Sequence, residues 1–210
     1  MARRMADQTF RHEQWQHRYD EHIAPINRLV DELREDTARG WAPYVAPLYG
    51  GVHARLLSVL RDPGPKTQDG PGSGFLCMEN DDATAETICG FFAGVSIGAK
   101  EIVPWNAYPW YINRKPQATE LEAGVEPWKN LIDLLPRLEV VMLHGGDAQA
   151  GWKRLTRRHP HLVAERTLHV IPTYHTSNQA FWHPDPDERE RRKQHLRDAF
   201  AEAARSLKSA

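Results

Sequence analysis

Residues 55–74 read RLLSVLRDPGPKTQDGPGSG, an apolar run followed by a loop rich in glycine and proline. A short, mostly apolar run bounded by turn residues is typical of a strand. Pro63 disfavours the helical conformation at Asp62, so the chain is expected to turn there. We therefore predict a strand over residues 55–60, with Asp62 just past its carboxyl end and a glycine-rich loop over residues 64–74.

Three other short apolar runs alternate with stretches that have helical character. Further strands are predicted at 101–105, 139–143 and 167–172, and helices at 83–94, 127–135, 147–158 and 186–207. Strands that alternate with helices favour a parallel sheet, because parallel neighbours need crossover connections. The sequence therefore predicts an α/β fold, a three-layer αβα sandwich with a central four-stranded parallel sheet.

The two ends of the chain are predicted to be helical additions to this sheet. Residues 8–38 carry aromatic and apolar side chains at helical spacing, and Pro25 is expected to divide them into two helices. We expect a helical extension over residues 1–45, an α/β core over residues 46–185 and a C-terminal helix over residues 186–210 that packs on the core. Together these segments are expected to form one structural domain.

Composition excludes several classes of protein. Of the 210 residues, 40% are hydrophobic and 26% are charged, as is usual for soluble globular domains. Two cysteines cannot form a four-cysteine metal site, and no stretch approaches the roughly 20 apolar residues of a membrane span. The formal net charge is -1, so a nucleic-acid-binding surface would have to be local. We expect a monomeric cytoplasmic protein that associates with no membrane and needs no metal or cofactor.

Polar side chains stand at or just past the carboxyl ends of the four predicted strands. They are Asp62, Asn106, His144 and His175. Ligands of open parallel sheets bind beyond these strand ends, so we expect the four side chains to converge on one crevice. An asparagine amide offers a donor and an acceptor side by side, which suits the edge of a planar base. The structural alternatives are a turn aspartate, a turn-capping asparagine and histidines of the surface or core.

Weaker signals concern charge and turns. The basic cluster within residues 189–197 is interleaved with acids and is interpreted as a salt-bridged solvent face. The acids at positions 79, 81 and 82 fit a divalent ion or, more simply, a solvated helix N-terminus. Asp147 is predicted to cap a helix after a tight Gly145-Gly146 turn. A second basic cluster has fewer acids nearby and is a candidate for binding backbone phosphates: Lys153, Arg154, Arg157, Arg158 and Arg166, with Lys66 and Lys115 expected nearer the crevice.

Taken in order, the motifs resemble those of the uracil-DNA glycosylase superfamily. The matching residues are Leu60-Arg61-Asp62-Pro63-Gly64, Gly70-Pro71-Gly72 with Phe75-Leu76-Cys77, Trp105-Asn106-Ala107 and His175-Thr176-Ser177. The resemblance implies a DNA repair enzyme that flips uracil or a related deaminated base out of DNA and hydrolyses its N-glycosidic bond. It implies a DNA partner that contains such a base and no cofactor.

The resemblance also implies a role for each matching residue. Asp62 would orient water and stabilise the oxocarbenium-like sugar. Asn106 would read the edge of uracil, and His175 would form a hydrogen bond with the base carbonyl oxygen on which negative charge develops. Ser177 would hold a flanking DNA phosphate. Lys66 and Gln179 are expected at the DNA-binding surface.

The sequence departs from the family pattern at three places. Gly64 stands where the strict uracil enzymes carry a tyrosine that excludes the thymine methyl group, which implies a more permissive pocket. Met78 is nearest in register to the aromatic residue that stacks on the base, with Phe75 as the alternative stacking residue. The second motif reads His-Thr-Ser-Asn, and Gln179 stands where an apolar wedge is expected.

Two other functions remain open from the sequence. The altered second motif is compatible with a weak or inactive glycosylase-fold module that only binds DNA. A hydrolase of a small nucleoside-like substrate would use the same crevice, although the sequence has no Gly-x-Ser-x-Gly motif to support a serine nucleophile. Assays distinguish the three functions. A glycosylase excises a base from DNA, the module binds DNA without excision, and the hydrolase turns over free nucleosides.

Overall fold

The structure, a computed structural model, describes residues 3–208. Residues 1, 2, 209 and 210, the outer ends of the two predicted terminal segments, lie outside the described residues. The helices are α1 (Gln8–Gln16), α2 (Ala24–Glu35), α3 (Ala83–Gly94), α4 (Ala118–Ala123), α5 (Val125–Asp133), α6 (Gly146–Arg158), α7 (His161–Arg166), α8 (Asn178–Phe181) and α9 (Pro186–Lys208). The strands are β1 (Tyr44–Val45), β2 (Leu56–Leu60), β3 (Phe75–Leu76), β4 (Ile102–Asn106), β5 (Val140–His144) and β6 (His169–Thr173).

The main sheet has four parallel strands in the order β4-β2-β5-β6. This confirms the predicted fold class, and each predicted strand lies within two residues of its position in the structure. Strand β2 lies inside the sheet, which explains why its sequence is apolar on both faces. The chain leaves β2 toward β4 on one side and returns to β5 on the other. The topological switch point, where ligands bind in such sheets, is therefore at the carboxyl end of β2.

Helices cover both faces of this sheet. Right-handed crossovers place α3 on one face and α4, α5 and α6 on the other. Helix α9 shares the α3 face, because Phe200 of α9 packs against Phe92 of α3 at 4.7 Å and against His144 of β5 at 5.8 Å between ring centroids. On the opposite face, Trp128 of α5 meets Trp152 of α6 at 5.6 Å. The result is the predicted three-layer arrangement.

The N-terminal helices hold the glycine-rich loop in place. The indole Nε1 of Trp15, in α1, donates a hydrogen bond to the Ser73 carbonyl at 3.1 Å. Its ring packs on Tyr44 and Phe75, which pair in the small parallel sheet of β1 and β3. Gly74 has a φ of +82°, and a Cβ at this position would lie 2.3 Å from the Trp15 ring. Glycine is therefore required at position 74 both for its backbone conformation and for the approach of the indole.

Some elements differ from their predictions. The predicted helix 127–135 begins earlier, because a capping box between Gln117 and Glu120 starts α4 and α5 follows it directly. The prediction that Asp147 caps a helix is wrong: Gly145 is the N-cap residue of α6, and Asp147 already lies in the first turn. Strands β1 and β3 and helices α7 and α8 were not predicted, because they are too short to show a periodic pattern.

The close contact of the Trp15 ring with Gly74 can be tested with a matched pair of glycine substitutions. Gly70 also has a positive φ, +79°, but no atom lies within 4 Å of its Cβ position. We expect Gly70→Ala to lower the free energy of unfolding by about 1 kcal/mol through backbone strain alone. Gly74→Ala adds a collision with the indole and should cost about 3 kcal/mol. Urea denaturation measures both values, and equal losses would show that Trp15 does not restrict this loop.

Candidate active site

A cavity of about 650 Å³ opens at the carboxyl ends of β2, β4 and β5, at the switch point of the sheet. Its size falls in the range of small-molecule sites. Its wall includes the residues at all four predicted strand ends, Asp62, Asn106, His144 and His175. The predicted site residues that line it are Asp62, Gly64, Lys66, Met78, Asn106, His175, Ser177 and Gln179.

Asp62 brings a buried carboxylate to the cavity. The residue follows β2 directly before Pro63, and only 4% of its side chain is exposed. Arg61 donates a short hydrogen bond from Nε to Oδ1 of Asp62. Burial raises the pKa of Asp62 above its usual value, while the hydrogen bond and the charge of Arg61 act in the opposite direction. The site therefore contains a carboxylate removed from water, and the adjacent guanidinium favours its ionised form.

His175 brings a neutral imidazole with a defined tautomer. Its Nδ1 accepts a hydrogen bond from the backbone N–H of Ser177 at 3.1 Å, so the proton of the neutral ring resides on Nε2. Burial lowers the pKa of His175, and the positive charge of Arg61 lowers it further, whereas Asp147 raises it. A Cβ on Gly145 would lie 3.2 Å from the Cβ of His175, so the glycine turn after β5 makes room for this ring.

Asn106 brings an amide that is available for a ligand. It is the last residue of β4 and is paired in register with Leu60, so it lies beside the end of β2. The residue is 1% exposed, and its Nδ2 has no hydrogen-bond partner within residues 3–208. A buried donor without a partner costs free energy. A planar ligand with a carbonyl oxygen would satisfy this donor.

The two candidate stacking residues lie in different places. Met78 lines the cavity, and its backbone N–H is fixed by a hydrogen bond of 2.6 Å to the hydroxyl of Tyr49. Phe75 is fully buried against Trp15 and Tyr44, outside the cavity wall. The alternative in which Phe75 stacks on the base is therefore wrong. Neighbouring residues of a strand point to opposite sides, so Leu76 faces the cavity and Phe75 faces the N-terminal helices.

The rim of the cavity carries positive charges that are paired with acids. Lys66 lies 4.0 Å from Asp81, and Lys115 lies 3.7 Å from Asp147. Both lysine side chains are at least half exposed. Ser177 and Gln179 lie on the same rim, where α8 begins.

The basic cluster after β5 does not line the cavity, and its role as a phosphate-binding patch stays a prediction. The guanidinium groups of Arg154, Arg157 and Arg158 lie 3.3–3.7 Å from Glu122 of α4. Arg166 donates hydrogen bonds to the last carbonyls of α5 and the residues that follow it. Four of its residues lie in the later turns of α6, which is about 20 Å long and begins at the cavity, and Arg166 ends α7. This group includes Lys153, Arg154, Arg157, Arg158 and Arg166.

The other charged groups that the sequence analysis singled out have partners within the fold. The basic cluster within residues 189–197 is salt-bridged as predicted, for example between Arg192 and Glu188 at 3.1 Å. Asp82 caps α3 by accepting the N–H of Ala85, and Glu79 pairs with Arg4. In residues 3–208 no group of three or more histidine, cysteine, aspartate or glutamate side chains could hold a metal ion. No helix in the same part of the chain is long and apolar enough to cross a membrane.

Three groups at the site were not identified from the sequence. Arg61 pairs with Asp62, and Tyr49 positions Met78. Ser58, inside the apolar run of β2, forms a hydrogen bond of 3.0 Å with Nε2 of His144. The only available signal for Ser58 was a polar residue within an otherwise apolar strand.

One family model matches the chain. It is described as the uracil DNA glycosylase superfamily, and it covers residues 48–204. That range includes the whole predicted site, from Asp62 to Gln179, and excludes α1, α2 and β1. Among curated proteins, none matches the chain. Because the family model covers most of the sequence and the sheet has the corresponding parallel architecture, the chain belongs to the uracil DNA glycosylase superfamily.

Proposed function

We propose that this protein is a monofunctional DNA glycosylase that removes uracil or a related deaminated base. The observation that carries the proposal is the meeting of three complementary groups in one cavity: the carboxylate of Asp62, the amide of Asn106 and the neutral imidazole of His175. We expect it to act as a monomer in the cytoplasm, without a cofactor.

Asp62 stabilises the sugar as the glycosidic bond breaks. The bond between C1′ and the base nitrogen breaks, its electron pair leaves with the base, and positive charge develops on the sugar. A carboxylate with 4% of its surface exposed acts on this charge through a medium of low dielectric, where its effect is larger than in water. Asp62 then orients the water that adds to C1′, and the proton released by this water ends on the solvent or the departing base.

His175 stabilises the departing base. His175 lines the cavity, and the N–H of Ser177 holds its Nδ1, so the ring carries its donor proton on Nε2 before the substrate arrives. A carbonyl oxygen of the base becomes more negative as the bond breaks, and a fixed donor to that oxygen binds the transition state more strongly than the substrate. Burial keeps the imidazole neutral at physiological pH, so it donates a hydrogen bond without losing a proton to the base.

Recognition of the base rests on Asn106 and Met78. The unpartnered Nδ2 of Asn106 and its neighbouring oxygen match the carbonyl and N–H of a uracil edge. Met78 supplies a polarizable side chain for one face of the base. The base reaches these groups only after leaving the helix stack, at a cost of a few kcal/mol.

DNA binding uses the rim. Phosphates of the strand would replace Asp81 as the partner of Lys66, and Ser177 and Gln179 would contact the flanking backbone. Trp182, directly after α8, is 67% exposed and offers an aromatic surface beside this rim. These contacts explain how a chain of net charge -1 can bind a polyanion.

Cleavage of an oligonucleotide with a single uracil tests the proposal. Incubation with the protein followed by hot alkali should cut the strand at the uracil. We expect Asp62→Asn and His175→Ala each to lower the single-turnover rate about 100-fold or more, because each removes a fixed electrostatic contact to developing charge.

The same assay separates the alternatives. DNA binding without cleavage of uracil, hypoxanthine, xanthine or mismatched thymine would support the inactive DNA-binding module. Turnover of free nucleosides without DNA affinity would support the small-molecule hydrolase. If both variants keep the full rate on uracil, the roles given to Asp62 and His175 are wrong.

The pH dependence of excision should reveal the pair of Arg61 and Asp62. The rate should fall as the pH decreases through the pKa of Asp62, since a protonated carboxyl group no longer stabilises the positive charge that develops on the sugar. Arg61 lowers this pKa, so Arg61→Gln should move the acid limb to higher pH. Arg114→Gln is the control, because Arg114 acts on Asp62 only through a weaker charge effect. Single-turnover rates at saturating protein give the midpoint of the acid limb of the pH–rate profile. An unchanged midpoint in Arg61→Gln would show that Arg61 does not lower the pKa of Asp62.

The salt dependence of DNA binding should identify the cations of the interface. Lys66→Ala should weaken binding and reduce the slope of log affinity against log salt by about 1, as expected for one lost phosphate contact. Lys153→Ala removes an exposed lysine of the cluster distant from the cavity and should leave the slope unchanged. The reverse result would support the prediction that this cluster binds phosphates.

A further inference from the structure

The N-terminal segment, residues 3–16, contacts the rest of the fold at two places close to Lys66. One is Ser73, at the end of the glycine-rich loop, and the other is Asp81, in the turn before α3. The family model begins at residue 48, so this segment lies outside the matched region. Lys66 lines the cavity, whereas no residue of the segment does. The segment therefore borders a cation of the rim without being part of the cavity wall.

The first contact fixes the backbone of Lys66 through Ser73. The backbone N–H of Ser73 donates to the Lys66 carbonyl at 3.0 Å, and the Ser73 carbonyl accepts the indole N–H of Trp15 at 3.1 Å. Ser73 is 5% exposed, and its hydroxyl donates to Oδ1 of Asn80 at 2.6 Å. A short chain of hydrogen bonds thus connects α1 to the residue that carries the rim ammonium group.

The glycine-rich loop depends on such outside contacts for its position. Several of its hydrogen bonds are internal, such as those from the N–H groups of Gly72 and Gly74 to the Gln68 carbonyl at 3.0 and 3.2 Å. Internal bonds set the shape of a loop but not its place relative to the sheet. Because glycine-rich backbone loses much entropy on ordering, the contact with Trp15 orders the loop before a ligand arrives.

The second contact concerns Asp81, which has two cationic partners. Its carboxylate lies 3.1 Å from Nη1 of Arg3 and 4.0 Å from Nζ of Lys66. The other terminal nitrogen of Arg3 pairs with Glu86 at 2.8 Å. Arg3 is therefore the nearer partner of Asp81, and Lys66 is the more distant one. A carboxylate that is already paired with a guanidinium attracts the lysine less strongly.

These ion pairs act on the local charge more than on stability. The accessible fraction is 40% for the side chain of Arg3 and 46% for that of Asp81, and exposed pairs contribute little to folding. Glu79, Asp81 and Glu86 would together repel a DNA strand at the rim. Arg4 pairs with Glu79 at 2.9 Å, as Arg3 does with the other two acids. The start of the segment thus offsets the negative charge beside Lys66.

We propose that the N-terminal segment determines the affinity of the rim for DNA: Trp15 positions the backbone of Lys66, and Arg3 engages Asp81 so that a phosphate can take the lysine. Trp15 and Arg3 are positioning residues that touch neither the base nor the reacting atoms. The proposal rests on the proposed glycosylase function, because it concerns binding of the same DNA strand.

Substitution of Arg3 in the full chain tests the effect of charge. Fluorescence anisotropy measures the affinity for a labelled oligonucleotide that contains no deaminated base. Arg3→Gln should weaken binding about threefold at low salt, because Asp81 then competes for Lys66. In an Asp81→Asn background, the same substitution should have a smaller effect. An equal loss in both backgrounds would overturn the role of Arg3.

Arg39→Gln is the matched control for this substitution. The Arg39 side chain is 41% exposed and pairs with Asp36 at 2.7 Å, but it does not line the cavity or contact Lys66. The control removes the same charge from the chain and should change the affinity less than Arg3→Gln does. A loss as large in Arg39→Gln would show that only net charge matters, and would overturn the role of Arg3.

Substitution of Trp15 tests the positioning of the loop. Trp15→Phe keeps a ring beside Tyr44 and Phe75 but removes the indole donor. Hydrogen exchange of the Ser73 amide, measured without DNA, should become faster. Binding should weaken about fivefold, because the loop must then be ordered as the phosphate binds. In a Lys66→Ala background this loss should disappear, since no ammonium group remains to be positioned.

Two results would overturn the role of Trp15. Faster exchange without any loss of affinity would show that Trp15 only stabilises the loop. Equal losses of affinity with and without Lys66 would show that Trp15 does not act through this lysine. Arg3→Gln changes an exposed side chain and tests the segment by itself if Trp15→Phe does not fold.

Excision separates this proposal from the proposed function. Neither Trp15 nor Arg3 lines the cavity, so the single-turnover rate at saturating protein should stay within about twofold of wild type in both variants. Excision with unchanged affinity in both variants would overturn the role of the segment and leave the glycosylase function intact. If wild-type protein binds DNA but excises no base, the glycosylase function fails, and the affinities of the variants still decide the role of the segment.

Discussion

Parallel pairing of β2 with β4 and β5 is the constraint from which the site follows. The register sets Leu60 opposite Asn106 and Val59 opposite Leu143, so three strands end at the same level. The residues at or just past those ends, Asn106, Asp62 and His144, are therefore neighbours in space although they lie far apart in the chain. Helix α3 on one side and the loop after β2 on the other close the crevice into a cavity. The N-terminal helices then fix that loop through Trp15, beyond the range of the family model.

Much of this arrangement follows from sequence patterns, because strand ends in a parallel sheet converge whatever the loops do. Asp62, Asn106 and His175 could be placed at one crevice on that basis. The choice between Phe75 and Met78 could not be made, since it depends on which way a two-residue strand faces. The ion-pair partners of the basic cluster after β5 could not be predicted from the sequence either. Glu122 precedes Arg158 by 36 positions, and only the packing of α4 against α6 brings them together.

Burial favours the neutral form of three ionisable groups at the cavity. It raises the pKa of Asp62 and lowers those of His175 and His144, so the neutral form is favoured in all three. Arg61 is the main group that counters this effect at Asp62, whereas at His175 its charge adds to the effect of burial. One guanidinium thus promotes an ionised acid and a neutral imidazole side by side. This is the combination that the proposed reaction requires, in which the base leaves as an anion and the sugar becomes cationic.

For the proposed function, the balance of charge at the rim bears on how the protein would release DNA. Lys66 and Lys115 each have an acidic partner at 3.7–4.0 Å, and exposed pairs of this kind contribute little stability. A phosphate can therefore take the place of Asp81 or Asp147 at small cost, and the acid can return when the strand leaves. Binding by exchange of partners keeps non-specific affinity low, because each new phosphate contact replaces an existing attraction. A repair enzyme that inspects many sites needs rapid release, and a paired rim provides it without a strongly basic surface.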